Sequence, residues 1–388
     1  LKNAKKELMP EIGEYQFPTD FARQITDHHQ QGNYLNYQPA ISPDGNLIAY
    51  FSDETGRINL HIMDIILGKT IRVIKGERRG EIESFHPLGT KACWHPTENI
   101  IAIPVRQNAQ ETIIIYDVDK GETVKNLDVN LGAIYAMDYS PDGESIVLSA
   151  LRKTSKDIYL LDLPTGRIIN LTDDAYEDDY PSYSTEGNCI YFASDRPVNP
   201  SQQNDELRKL NIFSYDFYTE EIVSITADNW NNYSPVLIPN TDTLIFVSER
   251  NGIPNLYTVY LPTREIKPLT NSVAALSSPT ISADGSRIGF ASFWQWGWDI
   301  FLLRDRTEQD SLTPTGFITS QIEEEAEKKE EVAQIEDTLE DTLYRKLESH
   351  KYYPEFSPDY IASNLGYSTI YGFQGYAIFL VSDILGNH

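Results

Sequence analysis

The chain has 388 residues, with 58 acidic side chains against 32 basic ones and a formal net charge of −26. Such an excess of carboxylates leaves no basic face to neutralise phosphates and argues against nucleic acid as a partner. Forty per cent of the residues are hydrophobic, enough for a large core, yet no run of 18 apolar residues exists to form a transmembrane helix.

Residues 1–19 read as a short lead-in, the tail of an upstream domain. The chain starts at Leu1 without a basic-then-apolar leader, and both ends read as cut. Ala22-Arg23-Gln24-Ile25-Thr26 then has the pattern of a closing strand with no preceding partners.

From there a unit repeats. Its clearest copy is Tyr139-Ser140-Pro141-Asp142-Gly143, followed by Ile146-Val147-Leu148-Ser149. Proline presets the first corner of a turn, and Asp-Gly tolerates the positive φ that reverses the chain, so this reads as a hairpin. Equivalent positions are Ser42, His95, Ser140, Ser184, Ile238 and Ser282, spaced 44 to 54 residues apart. Four copies carry proline three places earlier, at Pro39, Pro181, Pro235 and Pro279. After the turn comes an apolar strand, then one opening with Asp or Asn (Asn59, Asp157, Asn211, Asn255, Asp299). A fourth ends in Leu-Thr or similar (Thr172, Thr226, Thr270, Thr313). Four short antiparallel strands every 44 or so residues are the blade of a β-propeller, so the fold expected is all-β with six four-stranded blades. One fourth strand is surplus. Either residues 22–26 or Asp310-Ser311-Leu312-Thr313 completes the last sheet, and the N-terminal strand is the favoured closure.

These residues carry a resemblance. Pro-x-x-Ser-Pro-Asp-Gly, followed by Ile-Ala-Phe-like residues, Ser-Asp, Asp-Ile-Tyr and Leu-Thr, resembles the TolB-like (WD-repeat-like) six-bladed propeller family over residues 20–316. The resemblance implies a periplasmic module that binds other envelope proteins. It is diagnostic of the blade and nearly silent about the ligand.

Blade connectivity puts two kinds of segment on one face of the disc: the links from each fourth strand to the next first strand, and those between second and third strands. They gather Phe85, Asp178, Asp179, Tyr180, Trp230, Asn232, Tyr233, Trp294, Trp296 and Trp298, an aromatic and acidic set. Aromatic rings beside polar groups are typical interface anchors, and these ten are the candidate partner-binding residues. Packing between the last blade and its neighbours would use the same rings. The cluster Asp173, Asp174, Glu177, Asp178 and Asp179 offers the oxygen ligands a calcium ion takes, without EF-hand spacing; solvated loop acids are the simpler reading. The polar segment 195–207 in blade four reads as an exposed loop, and the central channel as a second ligand site.

Catalytic signatures are thin. No G-x-S-x-G, H-E-x-x-H, P-loop or C-x-x-C occurs, and the segment does not read as an enzyme. Cys93 and Cys189 sit at equivalent places two blades apart and read as separate small residues rather than a disulfide.

Residues 317–350 change character. Between Glu323 and Glu348 eleven acids face four bases, and Val332, Ile335, Leu339, Leu343 and Leu347 form a narrow apolar stripe at helical spacing. This reads as an acidic helical linker. Residues 351–388 begin a further β domain, with the apolar run Gly375-Tyr376-Ala377-Ile378-Phe379-Leu380-Val381. Together with Ser382-Asp383-Ile384-Leu385-Gly386, that stretch resembles the part of large envelope proteins where such a propeller leads into an outer-membrane β-barrel of the surface-antigen type. The reading is a noncatalytic docking propeller, the periplasmic part of a larger outer-membrane-associated protein, with envelope proteins or peptides as partners. The alternative is a substrate-holding accessory to a peptidase domain outside this segment.

Overall fold

The computed structural model describes residues 16–76, 82–85, 91–152, 155–198 and 208–303, and the backbone of 356–368 and 372–383. The chain divides into two units, Leu1–Thr319 and Ser320–His388. In the first, six four-stranded antiparallel sheets follow one another. Blade one comprises β2 (Asn36–Ile41), β3 (Leu47–Ser52), β4 (Asn59–Asp64) and β5 (Lys69–Lys75). Blade two has β6 (Cys93–Trp94), β7 (Ile100–Gln107), β8 (Gln110–Asp117) and β9 (Glu122–Asp128). Blade three has β10 (Ile134–Tyr139), β11 (Ser145–Arg152), β12 (Ser155–Asp162) and β13 (Ile168–Asn170). Blade four has β14 (Asp178–Tyr183), β15 (Cys189–Ser194), β16 (Asn211–Asp216) and β17 (Ile222–Ser224). Blade five has β18 (Asn232–Leu237), β19 (Thr243–Ser248), β20 (Asn255–Tyr260) and β21 (Glu265–Pro268).

Blade six has β22 (Leu276–Ile281), β23 (Ile288–Trp294) and β24 (Gly297–Leu303). Its outer strand is β1 (Ala22–Gln24), pairing Ala22 with Leu303, Arg23 with Leu302 and Gln24 with Phe301. The N-terminal strand therefore closes the ring. The rival closing segment, 310–313, lies outside the described residues. Two one-turn helices flank β1: α1 (Pro18–Phe21) and α2 (His28–Gln31). In the second unit β25 (Phe356–Ser368) pairs antiparallel with β26 (Gly372–Asp383). The expected helical stripe at 332–347 lies outside the described residues.

Period-two alternation sets the packing, because successive strand residues point to opposite faces. Every sheet here has both faces covered. In β3, Ile48 and Tyr50 join Ala291, Ile300 and Leu302 in the seam with blade six. Ala49 and Phe51 join Trp94, Ile101 and Ile103 in the seam with blade two. Blade four divides likewise: Ile190 and Phe192 pack towards blade three, Tyr191 and Ala193 towards blade five. The six seams are the core. This explains why second strands read as continuous apolar runs rather than half-polar ones.

The repeat signature has direct causes. Glycine of the turn takes positive φ at Gly45, Gly143, Gly187 and Gly285; in blade five Asn240, φ 59°, serves instead. The turn serine is locked from both sides: Ser140 Oγ donates to Asp142 at 2.5 Å and accepts from Ser145 N at 2.9 Å. The Leu-Thr ending ties strand four to strand three. Thr226 Oγ1 donates to Asn211 (2.8 Å) and accepts from Ile212 N (2.9 Å), and Thr270 does the same with Asn255 and Leu256. The upstream prolines mark a bulge. The residue before each, Gln38, Tyr180, Ser234 and Ser278, is left-handed with φ of 52–55°, and the register of strands one and two shifts there.

Ring closure converges on Asp299, which is fully buried. Its carboxylate accepts from Gln24 Nε2 (3.1 Å), Thr26 Oγ1 (3.0 Å), His28 N (3.0 Å) and Asn36 Nδ2 (3.1 Å), and lies 2.6 Å from His28 Nδ1. Replacing it with Leu would strand these donors in the interior. Asp299→Leu is expected to lower stability by at least about 3 kcal/mol, measured by urea unfolding.

His61, buried in blade one beside the Tyr50 ring (centroids 5.6 Å apart), supplies a pH dependence. Burial pulls its pKa below the ordinary histidine value, and Glu54, with Oε2 3.5 Å from Nδ1, offsets this only in part. The unfolded chain therefore binds the extra proton first. Stability present above about pH 6.5 is lost as the pH falls through that value. Melting temperature against pH should show this decline, and His61→Phe should flatten it.

Candidate functional site

The ten candidate residues lie where the links of the loop face begin and end, and the structure separates them by role. Phe85 is 2% exposed and packs on Phe51 (centroids 5.4 Å apart), capping the seam of blades one and two. Asp178, at the start of β14, is fully buried and held by Arg196, whose Nη2 lies 2.9 Å from both carboxylate oxygens. Ser194 Oγ accepts from Arg196 Nε at 2.8 Å, while Phe192, Phe213 and Tyr176 surround the guanidinium at 5.4–5.6 Å. Burial pushes the Asp178 carboxyl up to about 6, with Arg196 opposing.

Asp179, also buried, lies 2.7 Å from Lys156 Nζ and accepts from Ser149 Oγ at 2.6 Å, joining blades three and four. Asn232 repeats the Asp178 pattern in blade five: Arg250 Nη2 reaches its Oδ1 (3.2 Å) and Asp228 Oδ2 (2.9 Å), with Arg250 Nε on Ser248 (3.0 Å). These four residues are interior parts of the blades, because each link must satisfy its backbone and side-chain polar groups where it enters the sheet.

The aromatic set divides too. Tyr180 and Tyr233 are half-buried with centroids 5.8 Å apart, and burial raises both phenols, Tyr233 to about 12. Trp294 packs in the seam of blades five and six, with Phe17 at 5.0 Å. Trp298 is partly buried beside the closing segment, its amide donating to Tyr34 O at 2.8 Å. Packing thus accounts for these two tryptophans.

Trp230 and Trp296 remain open, 45% and 86% exposed. Trp296 sits at the tip of the β23–β24 hairpin. Gln295 and Trp296 both take positive φ, 49° and 74°, the geometry of a tight turn that ordinarily favours Asn-Gly. Tyr34 and Phe293, 67% and 42% exposed, are further aromatics in links that the sequence places on this face, although neither is among the ten candidates. The signal for Phe293 was present, since it opens the Phe293–Trp298 run.

Among the described residues no group of three or more His, Cys, Asp or Glu side chains is gathered for a metal. Asp174 shares Arg196 with Asp178, at 3.3 Å. Cys93 is buried and Cys189 half-buried, and both are free thiols. Of the blade-four loop, residues 199–207 lie outside the described residues.

With this geometry in hand, comparison with known proteins defines the class. No family model matches the chain. It is 26% identical over 203 residues to the Tol-Pal system protein TolB of Francisella tularensis subsp. holarctica, covering 52% of this chain and 44% of that protein. An uncharacterised protein of Agrobacterium fabrum is 29% identical over 128 residues, covering 33% and 40%. Dipeptidyl-peptidase 5 of Porphyromonas gingivalis is 24% identical over 298 residues, covering 64% and 42%. The matches thus span less than half the length of these relatives. Among solved structures, the Agrobacterium tumefaciens protein determined as a candidate TolB superposes with TM-score 0.53 at 18% identity, covering 76% of this chain and 97% of that one. The chain carries a TolB-like six-bladed propeller.

Arg196→Met would leave the Asp178 carboxylate buried without its partner. A loss of about 3–5 kcal/mol is expected in denaturant unfolding, whereas Trp296→Ala should change stability by no more than about 0.5 kcal/mol.

Proposed function

We propose that this propeller is a noncatalytic docking module of a bacterial cell envelope, engaging envelope proteins through its loop face with Trp296 as the leading anchor. The observation that carries the reading is the Trp296 hairpin. A bulky indole is held in solvent at a left-handed position that costs backbone energy and contributes nothing to the core. Exposed aromatic side chains on a rigid scaffold are what protein contacts use as hot spots. Tyr34, Phe293 and Trp230 are the accompanying contacts. The Tol-Pal relatives support an envelope setting, and the periplasm is the compartment proposed. The C-terminal pair, with strands of 13 and 12 residues, is long enough for a barrel wall and supports a larger outer-membrane-associated protein.

A second reading rests on the dipeptidyl-peptidase 5 match, which extends over 298 residues. There the propeller would hold peptides for a catalytic domain outside this segment.

The test is binding of the purified chain to envelope proteins, followed by identification of the partner and direct titration. Trp296→Ala should weaken that complex by about 2 kcal/mol, close to thirtyfold, while the melting temperature stays unchanged. Unchanged affinity in both Trp296→Ala and Trp230→Ala would remove the loop face from the proposal. Peptide hydrolysis by a longer form of the protein would favour the second reading.

A further inference from the structure

A channel of about 270 Å³ runs through the middle of the disc, walled by the first strands of all six blades. Its lining is almost wholly uncharged. Pro43, Pro96, Pro141 and Pro239 stand around it at the strand-one turns, and serines, threonines and Gln38 lie among apolar residues elsewhere. Only two charged side chains line it, Lys91 of blade two and Asp138 of blade three.

These two are not a closed pair. Asp138 accepts from Tyr183 N (2.8 Å) and Ser182 Oγ (3.3 Å), stitching the first strands of blades three and four together. Lys91 goes elsewhere. Its Nζ donates to the carbonyl of Pro279 in blade six, 3.2 Å away. Blade two does not adjoin blade six, so the lysine side chain reaches across the bore. An ammonium has three hydrogens to donate, and among the described residues this carbonyl is its one hydrogen-bond acceptor, with no carboxylate in ion-pair contact. A cation in a largely apolar bore is costly unless an anion meets it. The surroundings pull the same way: burial lowers the Lys91 pKa, and Asp138 opposes this from a distance.

We propose that the channel binds a small monocarboxylate, with Lys91 as the residue that fixes its charged end. One cation suits one negative charge. The stitched Asp138 carboxylate nearby disfavours a dianion such as phosphate, and the proline collar suits a short apolar remainder. A free short-chain acid and the terminal carboxylate of a peptide share this chemistry. The proposal is independent of the Trp296 face, which can fail or hold without it.

The test is calorimetric titration of the intact chain with three probes: propionate, N-acetyl-alanyl-alanine, and the C-terminal amide of that dipeptide. The expected result is binding of at least one carboxylate, with the amide weaker by about tenfold and Lys91→Met weakening the carboxylate by a similar factor. Binding of propionate identifies a free acid as sufficient; binding of the dipeptide alone identifies a chain end. Equal affinity of acid and amide overturns the proposal, as does no binding by either carboxylate or undiminished binding in a folded Lys91→Met. If that variant fails to fold, the acid–amide comparison on the unaltered protein still decides.

Discussion

The Asp299 carboxylate is the point on which the ring depends. A blade is a two-faced apolar sheet, stable only when both faces are covered, so an open row of six would leave two bare faces. Closing the row requires β1 to pair with β24 some 280 residues later. Three paired residues are a short splice, and Asp299 multiplies it. Gln24, Thr26, His28 and Asn36 all come from the N-terminal segment, and all reach one buried side chain. In blades four and five the equivalent residue is neutral, Asn211 or Asn255, and accepts from a threonine hydroxyl just as Asp299 does from Thr26. Blade three also has Asp, but Asp157 keeps to local donors, Asn170 among them. Only the closing blade uses the carboxylate to gather distant chain.

The same economy governs the loop face. Each blade must turn its chain twice there, and the turning residues carry unsatisfied polar groups into the seam. Asp178 with Arg196, Asp179 with Lys156, and Asn232 with Arg250 discharge them. The buried acids are taken up in holding the links, and the exposed surface carries Trp296, Trp230, Tyr34 and Phe293 together with Asp173 and Glu177. A partner meeting this face would find a rigid frame, because the arginines are wedged between aromatic rings as well as ion-paired.

Blade count and strand order were legible in the sequence because each rests on local chemistry repeated several times, whereas ring closure, made once, was left between two segments with the N-terminal one favoured. Pro-Asp-Gly turns at Ser42 and Ser140, Asn/Asp openings and Leu-Thr endings each mark a fixed place in the blade. The site was less legible. Asp178 and Trp296 both fall in links of the same face, and linear position cannot say which is turned inward. Deciding that required the arginine two places after the end of β15, which claims Asp178, and the two left-handed residues that carry Trp296 outward. The bulges were half-visible. Pro39, Pro181, Pro235 and Pro279 announced a constraint, but the left-handed residue before each is a tertiary feature of the channel wall. Lys91 gave no signal at all, since its reach across the bore exists only once the ring is closed.

Charge distribution adds a further constraint on how the disc can meet anything. The turns opposite the loop face carry Asp44, Asp142 and Asp284 as caps, each accepting a serine hydroxyl and a backbone amide two residues on. Those hydrogen bonds hold the three carboxyls below the ordinary range, with the serine contribution leading at Asp142 and Asp284 and burial opposing most at Asp44. Asp162 and Asp216 do the same at the outer turns. The acidity of this face is therefore fixed by turn chemistry and stays ionised well into mildly acidic conditions. On the loop face Asp174, Asp178, Asp179 and Asp228 are paired with arginine or lysine, while Asp173 and Glu177 stay exposed. The two faces therefore hold their acids by different means, turn hydrogen bonds on one and arginine or lysine partners on the other, and exposed aromatics stand on both, Tyr218 on the turn side and Trp296 on the loop side. What sets Trp296 apart is its own left-handed backbone, φ 74°, whereas in the turn that carries the exposed Tyr218 that conformation falls to Glu220.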